Sequence, residues 1–140
     1  RYAQAVDRRD ADQLLSVFTN DGAVMGFGEN PISFRGEAGL RDMTEKLAAF
    51  RMTKHNVFNQ TFEADASGNI TGETYCIASH ILPGDDWRLM DMSIRYHNSY
   101  RETAGGWRFH ERRLEVLWVE TRAVSPFVAS MMKEDLGDFV

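Results

Sequence analysis

Asp7 and His55 are the two residues of this chain best suited to moving a proton. An imidazole has the side-chain pKa nearest to working pH, and a carboxylate bonded to one ring nitrogen fixes its tautomer and raises its basicity. Asp7 closes a helical stretch, Tyr2-Ala3-Gln4-Ala5-Val6-Asp7. An acid there opposes the negative end of the helix dipole, which suggests that it serves another purpose. His55 opens a strand-like run, Thr53-Lys54-His55-Asn56-Val57. Tyr2 stands a little over one helical turn before Asp7, on a neighbouring helix face within reach of one cavity. Each residue taken singly has a plainer role: a satisfied core histidine, a solvated helix end before Arg8 and Arg9, a core aromatic.

His97 is a second candidate. On its predicted strand Asp91, Ser93, Arg95, His97 and Ser99 share one face, polar enough to line a wet pocket or meet a neighbouring subunit. Asp91 is the carboxylate that an isomerase or hydrolase reading would use. His80 and His110 have no matching partners and are read as structural or exposed. No two histidines have the spacing of common zinc sites, and Cys76 is alone, so no metal is expected. Cys76 reads as a small buried hydrophobe.

These residues need elements to position them. Tyr2 to Asp7 reads as the end of a helix that starts upstream. Asp10 offers an N-cap, with Gln13 in the capping position and Leu14, Leu15, Val17 and Phe18 on an apolar face. Asn20-Asp21-Gly22 is expected to stop that helix. Ala23 to Phe27 and Ile32 to Phe34 suggest a small hairpin. Leu40, Met43, Leu47 and Phe50 recur at helical spacing between Glu37 and Arg51.

After Met52 the period becomes two. His55, Val57, Asn59 and Thr61 are expected on one face, and Phe58, Gln60 and Phe62 on the other. Turn clusters at 65–69, 83–86 and 104–106 separate long strands over 70–82, 87–103 and 107–121. Ser125-Pro126 starts a short C-terminal helix, expected to pack on the domain or close a pocket as a lid. Helices followed by a meander of long strands give an α+β domain over 1–140. Such strands must twist, and helices on a curled sheet enclose a cone-shaped cavity suited to a small apolar ligand.

Composition narrows the partners. Acidic residues outnumber basic ones 21 to 16, which argues against nucleic acid and against an anionic membrane surface. No apolar run is long enough for a membrane span, and a single cysteine fits a cytoplasmic location.

The order of elements and the Tyr-x-x-x-x-Asp segment ending the first helix resemble the SnoaL-like branch of the nuclear-transport-factor-like superfamily. The resemblance is strongest to scytalone dehydratase, bile acid 7α-dehydratase and lindane dehydrochlorinase. It implies a cone-shaped α+β barrel, with a strongly curved, mostly antiparallel sheet covered by N-terminal helices. It also implies a cofactor-independent lyase, a dehydratase or related β-elimination enzyme acting on a small apolar, cyclic substrate. His55 would be the base, Asp7 its orienting partner, and Tyr2 the counterpart of the bile acid enzyme's tyrosine. Substrate contacts are expected from His97, Asp91, Glu115 and Arg113. Glu115 falls where the dehydrochlorinase places an arginine on its last strand, with Arg112 and Arg113 nearby. The resemblance further implies a homo-oligomer, a trimer by analogy or a dimer. Two alternatives stay open: a non-catalytic binding or assembly module, and an isomerase or polyketide cyclase on the same fold.

Overall fold

Strand-forming residues in period-two alternation dominate the second half of the chain, and a single sheet is built from them. The computed structural model describes residues 1–126, so the expected C-terminal helix lies outside the described residues. In chain order the elements are α1 (Tyr2–Arg8), α2 (Ala11–Leu15), β1 (Phe18–Gly26), β2 (Ser33–Arg35), α3 (Gly36–Leu47), β3 (Met52–Ala64), β4 (Ile70–Ile81), β5 (Arg88–Thr103) and β6 (Gly106–Ala123). The strand order is β2-β1-β6-β5-β4-β3. All neighbours are antiparallel except β1 and β6, which are parallel. The sheet is curved and unclosed, the cone expected for this architecture.

Local chemistry accounts for the helices. Asp10 caps α2, its carboxylate accepting from the Gln13 N–H at 2.9 Å. Leu40 and Met43 bury the inner stripe of α3, which packs on β1 and β2, while α1 packs on β3. The core gathers Ala5, Val6, Leu14, Phe18, Val24, Leu40, Cys76, Ile94 and Tyr96 between these helices and the concave side of the sheet. Cys76 is buried as expected, and burial pushes its thiol pKa up to about 11.

Two expectations fail for physical reasons. Asn20-Asp21-Gly22 does not end a helix but lies within β1, at a register irregularity between Phe18 and Ala23. Phe18 therefore leaves α2 and packs its ring on Phe109, with centroids 5.4 Å apart. The turn-like residues accommodate a bulge, not a reversal. The second failure concerns β3. A bulge between Val57 and Gln60 shifts the alternation by one residue, so Gln60 and Phe62 join the face of His55 instead of opposing it. Gly72 on β4 is required at this bend: a Cβ there would lie 2.4 Å from the Thr61 carbonyl oxygen.

Candidate active site

The last turn of α1 runs over the start of β3, bringing Asp7 against His55 across 48 positions of sequence. His55 Nδ1 lies 2.7 Å from Asp7 Oδ1. The His55 backbone N–H donates to Oδ2 at 2.9 Å, and the Thr53 hydroxyl donates to Oδ1 at 3.1 Å. Three donors on one carboxylate offset its awkward place at a helix C-terminus and hold it in a single orientation. An ionised carboxylate only accepts, so Nδ1 must carry the hydrogen. In the neutral ring Nε2 then keeps its lone pair and can act as a base. The His55 side chain is only 7% exposed.

His55 pairs with Ala78 of β4 and faces the concave side of the sheet. There it lines a cavity of about 170 Å³. Val24, Phe34, Met43, Leu47, Met92, Ile94 and Leu114 supply its apolar wall, and Tyr2, Tyr96, His80 and Lys46 its polar groups. An engineered apolar cavity of about 150 Å³ admits benzene, so the space here is on the scale of a single small ring. A larger hollow of about 510 Å³ lies toward the β5–β6 turn, lined by Phe62, Tyr100, Trp107, Phe109 and others, but among the described residues no imidazole or carboxylate borders it.

Tyr2 stands beside the pair, its ring centroid 6.5 Å from that of His55 in an edge-on arrangement. Burial raises the Tyr2 pKa, with the Arg112 charge acting in the opposite sense, so the phenol is a neutral donor. Arg112 is itself 2% exposed. Its guanidinium lies over the rings of Tyr2, Tyr96 and Phe109 at 4.2, 4.3 and 4.3 Å. Its Nε donates to Asn98 Oδ1 at 2.9 Å, and Asn98 donates onward to Thr74 at 3.2 Å. Among the described residues no carboxylate pairs with it, so a net positive charge sits behind the tyrosines.

With this geometry in place, the likeness to known proteins can be stated. The SnoaL-like domain matches residues 1–113. The chain belongs to the SnoaL-like family. No curated protein matches it. Solved structures do. A hexachlorocyclohexane dehydrochlorinase of type 3 from Novosphingobium barchaimii superposes with a TM-score of 0.75 at 19% identity, over 91% of this chain and 86% of the other. A protein provisionally assigned as a scytalone dehydratase, from Novosphingobium aromaticivorans, gives 0.72 at 19%, over 91% and 83%. A third, provisionally assigned as an aromatic ring hydroxylase from the same species, gives 0.71 at 27%, over 88% and 85%. The first two likenesses speak to the fold alone.

In this SnoaL-like chain the remaining expected residues do not reach the cavity. His97, Asp91, Glu115 and Arg113 lie on the opposite face of the sheet, because the strand positions that line the cavity are Met92, Ile94 and Tyr96 on β5 and Leu114 on β6. His97 Nε2 lies 2.8 Å from Glu115, and Asp91 accepts from Ser79 and from Arg122 at 2.7 Å. Arg113 donates to Glu111 at 3.2 Å. The inward cation of the last strand is Arg112. Glu115, expected at that place, instead pairs in register with Arg95 on the outside.

His80 is the residue that sequence reasoning set aside. It is 5% exposed, lines the cavity, and its ring centroid is 5.9 Å from that of His55. Its Nδ1 is buried without a partner among the described residues. Burial lowers its pKa, and the neighbouring His55 lowers it further, so the ring is neutral at pH 7. The signal lay in β4, where Thr74, Cys76, Ala78 and His80 alternate onto one buried face.

Proposed function

We propose that this protein is a cofactor-independent lyase that eliminates a small leaving group from a single-ring apolar substrate. The observation that carries the reading is the 2.7 Å contact of Asp7 with His55 Nδ1, on a ring that borders an apolar cavity. His55 Nε2 takes a proton from a ring carbon. The electrons of that C–H bond form the new double bond as the bond to the leaving group on the adjacent carbon breaks. Asp7 stabilises the imidazolium and holds the ring in its tautomer. Tyr2, a neutral phenol in front of the Arg112 charge, donates to the departing oxygen or to a developing enolate. Leaving groups without a proton, such as halide, would meet the same positive field.

A panel of hydroxylated and halogenated six-membered rings tests this, read by water loss in mass spectrometry and by halide release. His55→Gln should reduce any such turnover by about 100-fold or more. Full activity in that variant would end the proposal.

One observation favours a second reading, an isomerase or cyclase on the same site. His80 stands close enough to His55 for a proton taken at one carbon to be returned at another. Product formed in heavy water separates the two. An isomerase yields a product of unchanged formula with solvent deuterium incorporated, whereas a lyase yields one lacking the leaving group. Self-association belongs to the same proposal. Phe27, Ile77 and Trp118 are exposed, and the uncovered outer sheet face is where a second copy would pack. Light scattering on the eluting protein measures that directly.

A further inference from the structure

Arg9 carries a cost in its backbone that its side chain explains. Among the described residues it is the only non-glycine in the left-handed region, with φ 55° and ψ 36°. It forms the C-cap of α1, where its N–H reaches Val6 O at 3.1 Å and that of Asp10 reaches Ala5 O at 2.9 Å. Glycine is the usual solution at such a cap, because a Cβ is crowded in this conformation. An arginine held there is strained, and the strain must be sustained by what the guanidinium does.

Its Nη2 donates to the carbonyl of Phe50 at 2.7 Å and of Leu47 at 3.3 Å. These lie at and just beyond the end of α3, where the Leu47 carbonyl otherwise accepts only from the Phe50 N–H at 3.1 Å. Arg9 therefore caps α3 from a turn that belongs to α1. Both carbonyl residues line the cavity, and the Phe50 ring lies 4.6 Å from His80. Asp7 stands on the same α1 turn as Arg9. One side chain thus ties the helix end carrying the carboxylate of the dyad to the wall that covers the second histidine.

We propose that Arg9 is a positioning residue: its guanidinium clamps the Leu47–Phe50 wall against α1, and so keeps His80 dry beside His55. The inference rests on reading this cavity as the substrate site, and it names what holds the cavity shut on its helical side. The ionisable groups around His80 are His55 from β3, Asp7 from α1 and, through its charge, Asp91 from β5, while Lys46 of α3 lines the same cavity. None of them is hydrogen-bonded to Arg9, so its effect on His80 runs through Phe50.

The test uses Arg9→Gly, which relieves the backbone strain while removing the clamp, together with Arg9→Asn, since asparagine also tolerates this conformation. NMR titration of the histidine rings is the principal readout. In both variants the His80 midpoint should rise toward the ordinary histidine range as water reaches it, while the His55 Nδ1 proton keeps its wild-type resonance in the hydrogen bond to Asp7. Hydrogen exchange at the Phe50 amide, which bonds to Leu47 O, should speed up by on the order of tenfold. Arg9→Lys should restore part of the protection, because an ammonium can still donate to these carbonyls but from a shorter, more flexible stem without the planar guanidinium. A purely structural role would change the melting temperature and leave His80 where it is. An unchanged His80 midpoint, or loss of the His55–Asp7 hydrogen-bond resonance along with its movement, overturns the proposal. None of these readouts needs turnover, so their failure leaves the lyase reading standing, and an active His55→Gln variant would leave the Arg9 result standing.

Discussion

The two faces of the sheet each hold a histidine–carboxylate pair, and the distances hardly differ. On the concave face His55 meets Asp7 at 2.7 Å; on the convex face His97 meets Glu115 at 2.8 Å. Their surroundings differ in every other respect. The His55 side chain is 7% exposed and that of His97 is 40%. Asp7 is held by Thr53 and by a backbone N–H as well as by the ring, so its geometry is overdetermined. Glu115 shares His97 with nothing firmer than Arg95 at 3.5 Å. Among the described residues, only the inner ring borders an apolar cavity; the hollow beside His97 is lined by Thr61, Glu63, Thr71 and Glu73. A contact distance identifies a pair; burial, additional donors and a cavity decide whether that pair can do chemistry.

The comparison breaks most directly through the inner pair. Asp7→Asn keeps the shape but removes the charge that stabilises the imidazolium, and should lower turnover by about 100- to 10,000-fold, as should His55→Gln. His97→Gln and Glu115→Gln should leave turnover at the wild-type value. An outer variant as damaging as an inner one would move the active site to the other face. Stability should divide along the same line. Arg112 and Arg113 are sequence neighbours on opposite faces. Arg112→Ala strips a cation from three aromatic rings and leaves Asn98 without its donor, which should cost about 2–4 kcal/mol in urea unfolding. Arg113→Ala should leave the midpoint nearly unchanged. Equal losses would mean that the buried cation is not supported as described.

Much of this was legible in the sequence, and the misses have separate causes. The acid at the end of α1 and the histidine at the start of β3 could be paired because helix ends and strand starts are fixed by strong local signals, and because the spacing resembled a family. The long strands and their order followed from period-two patterning and turn chemistry. What failed was the bookkeeping of faces across bulges. Irregularities at Val57/Gln60, Ser93/Ile94 and Ser99/Tyr100 change which neighbours share a face, and no residue type announces them. Glu115 is a different case: the family resemblance puts it at the inward place, whereas unbroken pairing from Arg112 to Glu115 turns Arg112 and Leu114 inward and Glu115 out. His80 was missed for a different reason. Its partners are an aromatic ring from α3 and a second histidine from β3, and contacts between elements leave no trace in local patterning. The left-handed Arg9 is equally silent, since arginine is an ordinary residue at a helix end.

A smaller and subtler difference separates the histidines by pH. Burial and His55 together lower the pKa of His80 in the folded chain, whereas an unfolded histidine titrates near its ordinary value of 6.5. The unfolded state therefore binds more protons below that pH, and stability must fall as the pH drops from about 6.5 toward the folded His80 midpoint. His80→Leu removes the group and should flatten this part of the stability curve, measured as the melting temperature across pH 5 to 7. His97→Gln should leave the slope as it is, because that ring stands partly in water beside Glu115 and is screened there. The outer pair should show its presence only at low ionic strength, as a change in melting temperature that about 0.5 M salt erases. A slope that vanishes with His97 and persists without His80 would reverse the comparison, making the solvated face the one whose protonation the fold senses.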